Sequence, residues 1–325
     1  MIASFAREGE AVKALVTGAA GFIGSHLSEA LLAAGHEVVG VDCFLDYYPR
    51  AIKEHNLAVA RRSPRYRFVE QSLVDGDVDA LLDGTDWVFH QAAQAGVRAS
   101  WGADFRIYSD NNVFATQRLL EACRKHQPRK FVYASSSSVY GDTDDLPMRE
   151  TGHTRPVSPY GVTKLAGEHL VWLYWKNYAI PTVSLRYFTV YGPRQRPDMA
   201  FHRFIRAVLG GEEINLYGDG TQSRDFTFVA DIVAANVAAA EREVEGRVFN
   251  VGGGSRVTVN EVIAMIGEIA GRSPRVKRMD VQKGDVRHTA ADTSAAQSEL
   301  GFRPRVDTRQ GLEREVEWLR ELIAS

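Results

Sequence analysis

Cysteine is scarce in this chain: 325 residues contain two, Cys43 and Cys123, and their separation matches no metal-ligand spacing. A disulfide scaffold is therefore not expected, and a reducing compartment, the cytoplasm, is the expected location. Long apolar runs are missing as well. Nowhere do about 18 uncharged apolar residues follow one another, so no membrane span is expected. Charge of one sign is also missing. The 39 Lys and Arg against 41 Asp and Glu leave a net charge of −2, which gives no electrostatic case for nucleic acid or an anionic membrane surface. No internal repeat or low-complexity segment occurs. Met1 to Val12 lacks the apolar core of a signal peptide and reads as a flexible lead-in. What remains is ordinary globular composition, 45% hydrophobic and 25% charged, in a chain long enough for one large or two medium domains.

Organisation begins at Ala14-Leu15-Val16-Thr17, an apolar run leading straight into Gly18-Ala19-Ala20-Gly21-Phe22-Ile23-Gly24. Leu27, Ala30, Leu31 and Ala34 then recur at helical spacing, and Gly35 supplies a stop. Glu37 to Val41 reads as a second strand, closed by Asp42 eighteen residues after Gly24. Strand, glycine turn, helix, strand, acid is the order of a dinucleotide site. Glycines admit the pyrophosphate to the backbone, and the helix N-terminus holds its charge. Asp42 would accept hydrogen bonds from the adenosine ribose and repel a 2′-phosphate, which favours NAD over NADP. The spacing is Gly-x-x-Gly-x-x-Gly, not the Gly-x-Gly-x-x-Gly of ordinary dehydrogenases.

The alternation continues. Trp87-Val88-Phe89-His90 reads as a strand entering the small residues Ala92 and Ala93, where backbone can lie close to a cofactor. Asn111-Asn112-Val113 is expected to open a helix, and Phe131 to Ala134 is a strand ending in the run Ser135-Ser136-Ser137-Ser138. Short strands alternating with helices predict an α/β, doubly wound parallel sheet, with ligands beyond the carboxyl ends of the strands. His90 is expected to pack rather than react, and Trp172 and Trp175 to face the core.

Tyr160 and Lys164 lie four apart in Ser158-Pro159-Tyr160-Gly161-Val162-Thr163-Lys164, where Pro159 suits a first helical turn. On a helix they share a face, and a nearby ammonium lowers a phenol from its usual value of about 10. Such a pair can accept a proton near neutral pH.

Together, the glycine turn, the serine run, Tyr160-x-x-x-Lys164, Arg186 to Pro193, Gly218 to Phe226 and Phe249 to Gly252 resemble the extended short-chain dehydrogenase/reductases that modify nucleotide sugars. The resemblance runs over nearly the whole chain. It implies that Tyr160 takes a proton from a sugar hydroxyl while hydride leaves the same carbon for NAD⁺, and that Lys164 tunes the tyrosine and holds the nicotinamide ribose. Ser136, with Ser137 as the alternative, would bond the reacting oxygen. It implies cofactor contacts at Gly18, Gly21, Phe22, Ile23, Gly24, Asp42, Ala92, Ala93, Asn112 and Tyr187. One departure is Gln71-Ser72-Leu73, where relatives often carry Gly-Asp-Ile/Leu beside the adenine.

The same resemblance bears on the reaction. Related dehydratases carry two acids, and related decarboxylases a glutamate, at positions that Ser137 and Ser138 occupy here. Oxidation at C4 followed by hydride return to the other face needs neither, which points to 4-epimerisation of a UDP-sugar. Asp42 to Tyr48, Ala92 to Arg98 and Thr189 to Met199 are similar to UDP-glucuronate 4-epimerases. Ser138, Thr189 and Arg196 are candidates for its carboxylate, with Arg196 open between that role and a surface residue of a Pro-rich loop. Arg224 and Arg287 match positions that hold the diphosphate, and Tyr217 is placed near the uracil. An epimerase of UDP-glucose/UDP-galactose or an N-acetyl relative, a decarboxylase and a non-catalytic NAD sensor stand as alternatives. The expected division is a cofactor domain at 1–188, to which 226–252 returns, and a sugar-nucleotide lobe at 189–225 and 253–325. The resemblance also implies a homodimer pairing through Asn111–His126 and Pro159–Tyr178.

Overall fold

The computed structural model describes residues 11–280 and 286–324, so the expected lead-in lies outside the described residues as far as Glu10. The strands are β1 Lys13–Thr17, β2 Glu37–Asp42, β3 Tyr66–Glu70, β4 Trp87–His90, β5 Lys130–Ser136, β6 Thr182–Tyr187, β7 Val190–Tyr191, β8 Glu213–Tyr217, β9 Ser223–Asp225, β10 Thr227–Phe228, β11 Arg247–Val251, β12 Arg256–Thr258 and β13 Arg275–Met279. Seven of them form one sheet in the order β11-β6-β5-β4-β1-β2-β3, and every neighbouring pair is parallel. This is the doubly wound α/β sheet that the strand–helix alternation predicts. The order reverses beside β1, so the carboxyl ends of β1 and β4 open a crevice between them, where such sheets hold their ligands.

Both faces of the sheet are covered, which is why its strands are nearly continuous apolar runs rather than alternating ones. One layer packs Leu27, Leu31, Phe89, Val132 and Leu185 with residues of the helix Val229–Glu241. The other packs Leu15, Val88, Phe131 and Tyr133 against Leu119, Leu120 and Val171 of two helices, Ala115–His126 and Pro159–Tyr178. Beyond the sheet, β7 pairs with β10, β8 with β13 and β9 with β12 as two-stranded ribbons, with the helices Ala200–Gly210, Val259–Ala270 and Thr308–Ala324 packed among them.

Two local expectations need correction. The helix around Asn112 does not open at Asn111. It begins at Phe105, widens through a π turn at Ser109–Phe114 and continues as Ala115–His126. A wide turn of this kind re-aims a side chain, and Asn112 is the one that it turns inward. Trp172 does not face the core. It is 47% exposed, whereas Trp175, three residues later, is half-buried and packs on Gly246. The core on that side is filled by Val171 and Tyr174, which leaves Trp172 and Leu173 pointing outward.

Candidate active site

The glycine turn joins β1 to the helix Phe22–Ala33. Gly18 has φ +69°, a left-handed conformation, and a Cβ on it would lie 2.9 Å from the backbone of Ala92. The turn therefore packs directly on the segment after β4, with the Gly21 amide donating to the Gly18 carbonyl at 3.0 Å. Gly21 caps the helix without a side chain, so the first-turn amides of Phe22, Ile23 and Gly24 have an anion as their natural partner. At the end of β2, Asp42 accepts from the Ala20 amide at 3.2 Å and the Phe44 amide at 2.9 Å. Burial pushes its carboxyl up, and Lys53 opposes that shift. Gly18, Gly21, Phe22, Ile23, Gly24, Asp42 and Lys53 line one cleft together with Ala92, Ala93, Tyr187, Tyr160 and Lys164. Gln71 and Leu73 line it too, and the Gln71 amide is spent on the Asp77 carbonyl at 2.9 Å.

Asn112, turned inward by the π turn, does not itself line the cleft, whereas Asn111 does. Asn112 accepts from the Gln94 amide at 2.7 Å, donates to the Gln94 carbonyl at 3.0 Å and donates to Thr163 at 2.9 Å. It thus ties the segment after β4 to the helix that carries Tyr160. His90 below it is a packing group: its ring bonds Thr17 at 2.8 Å and Thr116 at 2.9 Å, and burial pulls it down to about 3. The Tyr187 hydroxyl accepts from Asn236 at 2.7 Å and donates to Gln91 at 3.1 Å.

The helix Pro159–Tyr178 starts where its sequence requires. Ser158 accepts from the Gly161 amide at 3.1 Å and Pro159 occupies the first turn. A Cβ on Gly161 would lie 2.6 Å from the Ser138 carbonyl, so only glycine lets this helix press against the serine run. That approach brings the serine run up to the start of the helix, where the Ser136 Oγ accepts from the Ser138 amide at 3.1 Å. Burial raises the Tyr160 phenol, opposed chiefly by the Ser136 hydroxyl and the Arg196 guanidinium. Lys164 lies with its Nζ 4.5 Å from the Tyr133 ring centre, and burial pulls it down to about 7 against the charge of Glu168. The simple expectation that Lys164 sets the phenol is thus modified. Desolvation disfavours both charged forms, and Arg196 is the cation that draws the phenol down.

Arg196 is not a surface residue of its loop. It lines the same cleft as Tyr160 and stands 5.7 Å over the Tyr47 ring. Its fork is nevertheless filled, Nε to Asp198 Oδ1 at 3.0 Å and Nη2 to Oδ2 at 3.0 Å, and Tyr47 donates to the same Oδ2 at 3.2 Å. A second cavity is lined by Ser137, Ser138, Thr189, Arg224, Val97 and Thr289 among others. Arg224 donates to the Arg287 carbonyl at 3.0 Å, which places the Arg287 segment beside that cavity with its side chain exposed. Tyr217 stands apart from both linings, with the Arg98 guanidinium 4.3 Å from its ring centre.

A helical tyrosine, a lysine one turn on and a glycine turn line one cleft, with a strand-end serine run next to them, an arrangement that can hold a dinucleotide and move a proton. Residues 14–252 match the model of the NAD dependent epimerase/dehydratase family. The chain belongs to that family. An uncharacterized UDP-glucose epimerase of Bacillus subtilis, YtcB, is 45% identical over 313 residues, covering 96% of this chain and 99% of its own length. A UDP-glucuronate 4-epimerase of Thermodesulfobacterium geofontis is 35% identical over 95% of this chain and 96% of its own length. The crystal structure of the UDP-glucuronic acid 4-epimerase of Bacillus cereus, solved with UDP-glucuronic acid and NAD, superposes with a TM-score of 0.93. It is 45% identical and covers 95% of this chain and 99% of its own. NAD is the family's cofactor, and the glycine turn whose Cβ positions are blocked by backbone fits it.

Sequence reasoning missed several groups around this site. Lys53, 6% exposed, donates to the Leu45 carbonyl at 2.8 Å and faces Asp42. Tyr108 stacks edge-on to Tyr160 with ring centres 6.4 Å apart. Asp198 occupies Arg196, and Glu168 with Arg186 lies behind Lys164. Only Glu168 left a signal, since it continues the four-residue step from Tyr160 through Lys164.

Proposed function

We propose that this protein is an NAD-dependent 4-epimerase of UDP-sugars that converts UDP-glucuronate to UDP-galacturonate. The observation that carries this reading is the cavity lined by the end of the serine run and by Ser158, at the cap of the helix that carries Tyr160. Among the described residues it is lined by hydroxyls of Ser137, Ser138, Ser158, Thr189 and Thr289 and by Arg224, with no carboxyl group. Elimination of water needs an acid and a base there, whereas epimerisation needs neither. Such a lining also suits a carboxylate, which hydroxyl donors can hold at its two oxygens.

In the proposed reaction Tyr160 Oη accepts the proton of the C4 hydroxyl and Ser136 bonds the same oxygen, with Ser137 as the alternative. NAD held along the glycine turn would supply the hydride acceptor at C4 and the hydride that comes back to the opposite face of that carbon. Lys164 and Asn112 orient the cofactor ribose and the helix that carries Tyr160. Phe22, Ile23 and Gly24 donate amides to the pyrophosphate, Asp42 takes the adenosine ribose, and Ala92, Ala93 and Tyr187 wall the cleft. Arg224 and Arg287 hold the diphosphate and Tyr217 the uracil. The 4-ketouronate is a β-keto acid, so Ser138 and Thr189 must keep its carboxylate near the ketone plane to prevent loss of CO₂. The cofactor domain takes 1–188 and 226–252, the second segment returning through β11. The sugar-nucleotide lobe takes 189–225 and 253–325.

A second reading, a 4-epimerase of neutral UDP-sugars, is favoured by one observation. The Arg196 fork is already paired with Asp198 and is not aimed at a new carboxylate. A homodimer in the cytoplasm completes the proposal. Its support is the apolar face of Phe114, Val162, Trp172 and Leu173, each between 44% and 49% exposed, on the two helices expected to pair. The test is proton NMR of purified protein supplied with UDP-glucuronate. UDP-galacturonate at equilibrium supports the reading. Conversion of UDP-glucose alone selects the second, and a UDP-pentose with CO₂ release sinks both.

A further inference from the structure

Glu168 takes no part in the site as described, yet it is one of the most heavily engaged side chains near it. It lies on the helix Pro159–Tyr178, one turn beyond Lys164 as Lys164 is one turn beyond Tyr160. It is 4% exposed. Arg186 on β6 binds its carboxylate with two prongs, Nε to Oε1 at 2.9 Å and Nη2 to Oε2 at 2.8 Å. Ser135, near the end of β5, donates to Oε1 as well. The Tyr140 hydroxyl accepts from Arg186 at 2.8 Å and donates to Asn250 at 2.6 Å, so the cluster is closed on all sides.

A buried ion pair is a poor device for stability alone, because desolvating two charges offsets most of their attraction, and apolar side chains can fill the space equally well. The position of this pair points to a different use. Lys164 is 3% exposed, and its neighbours are drawn from three elements: Tyr133 on β5, His90 on β4, and Tyr160 and Glu168 on its own helix. His90 is kept neutral by burial, and so is the Tyr133 phenol. Among the described residues Glu168 is the anion acting on Lys164, and its charge opposes the burial that would strip the proton from the lysine.

We infer that Glu168 is a positioning residue for the reaction, clamped by Arg186 and Ser135 so that its carboxylate keeps Lys164 charged beside Tyr160. Removing that anion lets the buried ammonium lose its proton, and a neutral amine is a weaker donor to the cofactor ribose that the proposed function assigns to Lys164. The same clamp ties the end of β5 to the helix, one residue before Ser136. This inference rests on the reading of Tyr160 and Lys164 as the reacting pair.

The pH profile of kcat tests it, measured on NAD-loaded protein with whichever UDP-sugar the wild type epimerises. Glu168→Gln leaves the Arg186 guanidinium buried and unpaired, so the informative variant is the pair Glu168→Gln with Arg186→Met, which removes both charges together. Its alkaline limb is expected to move down by about one pH unit or more, with KM changed by less than about threefold. A double variant that folds, retains NAD and keeps the wild-type limb overturns the inference. A second measurement needs no folded variant. In wild-type protein carrying lysine labelled with ¹³C at Cε, Lys164 is expected to titrate at or above pH 7. A lysine that is neutral throughout pH 6 to 8 overturns the inference too. Tyr160→Phe is run alongside: turnover like the wild type there means that the reading of the whole site has failed, whereas a dead Tyr160→Phe with an unmoved limb in the double variant rejects Glu168 alone.

Discussion

Gly24→Ala separates two forces of opposite sign. Gly24 is the third residue of the helix Phe22–Ala33, where alanine is favoured over glycine by about 1 kcal/mol of backbone propensity. Against this, a Cβ at position 24 would stand 2.2 Å from the Gly18 carbonyl oxygen and 2.8 Å from its carbon. Ordinary contact lies near 3.5 Å, so the two segments must part by roughly 1 Å. Gly18 cannot retreat freely, because it has φ +69°, presses on Ala92 and accepts from the Gly21 amide at 3.0 Å. Overpacking of this kind costs about 1–3 kcal/mol, and losing the turn hydrogen bond costs about 1 more. The net expectation is a destabilisation of about 1–3 kcal/mol. The turn amides are displaced at the same time, so NAD affinity falls by at least about tenfold, or about 1.4 kcal/mol. Thermal melting with and without added NAD, together with NAD titration by calorimetry, reads both quantities. Gly210→Ala is the matched control, since its Cβ meets Glu212 only at ordinary distances of 3.6 Å and beyond. A Gly24→Ala protein that melts and binds NAD like the Gly210→Ala control would refute the argument that backbone contact fixes this glycine.

Tyr160→Phe keeps the ring against Tyr108 and removes only the hydroxyl. It is expected to lower kcat by about 10²- to 10⁴-fold while NAD affinity changes little, and a kcat within threefold of wild type would remove Tyr160 from the chemistry. Burial holds His90 at about 3 against 6.5 in the unfolded chain, so the unfolded state binds more protons between those values, and stability rises with pH across that window. Urea unfolding at pH 7 and pH 4.5 should show a His90 contribution of about 2–3 kcal/mol lost on acidification, absent in His90→Asn; equal pH slopes in the two proteins would contradict it. Trp172→Glu places a charge in the exposed apolar face of the helix Pro159–Tyr178 and is expected to shift the protein to monomer in light scattering. An unchanged mass would put the interface elsewhere.

The composition, the strand–helix alternation and the glycine turn made the sheet and its cofactor edge readable, because they are written in local spacing. The period of apolar residues sets each element, and the parallel order follows from helices covering both faces. Tyr160 and Lys164 were readable for the same reason, as a step of one helical turn. The outward turn of Trp172 was not readable, because burial on that helix depends on which neighbours reach it first, and Val171 and Tyr174 already fill the core there. The π turn that aims Asn112 was hidden as well, since its partners Gln94 and Thr163 lie on other segments.

What the sequence determined by itself, then, is the set of groups that do chemistry: a turn for an anion, a phenol, a serine run and the absence of acids at Ser137 and Ser138. What only the tertiary structure decided is their electrical state. Burial raises Tyr160 and lowers Lys164, and the charges that answer it come from Arg196, 36 residues away in sequence from Tyr160, and from Glu168, held by Arg186 on another strand. Charge in a low-dielectric cleft depends on distance and desolvation, and neither quantity is carried by the order of residues along the chain.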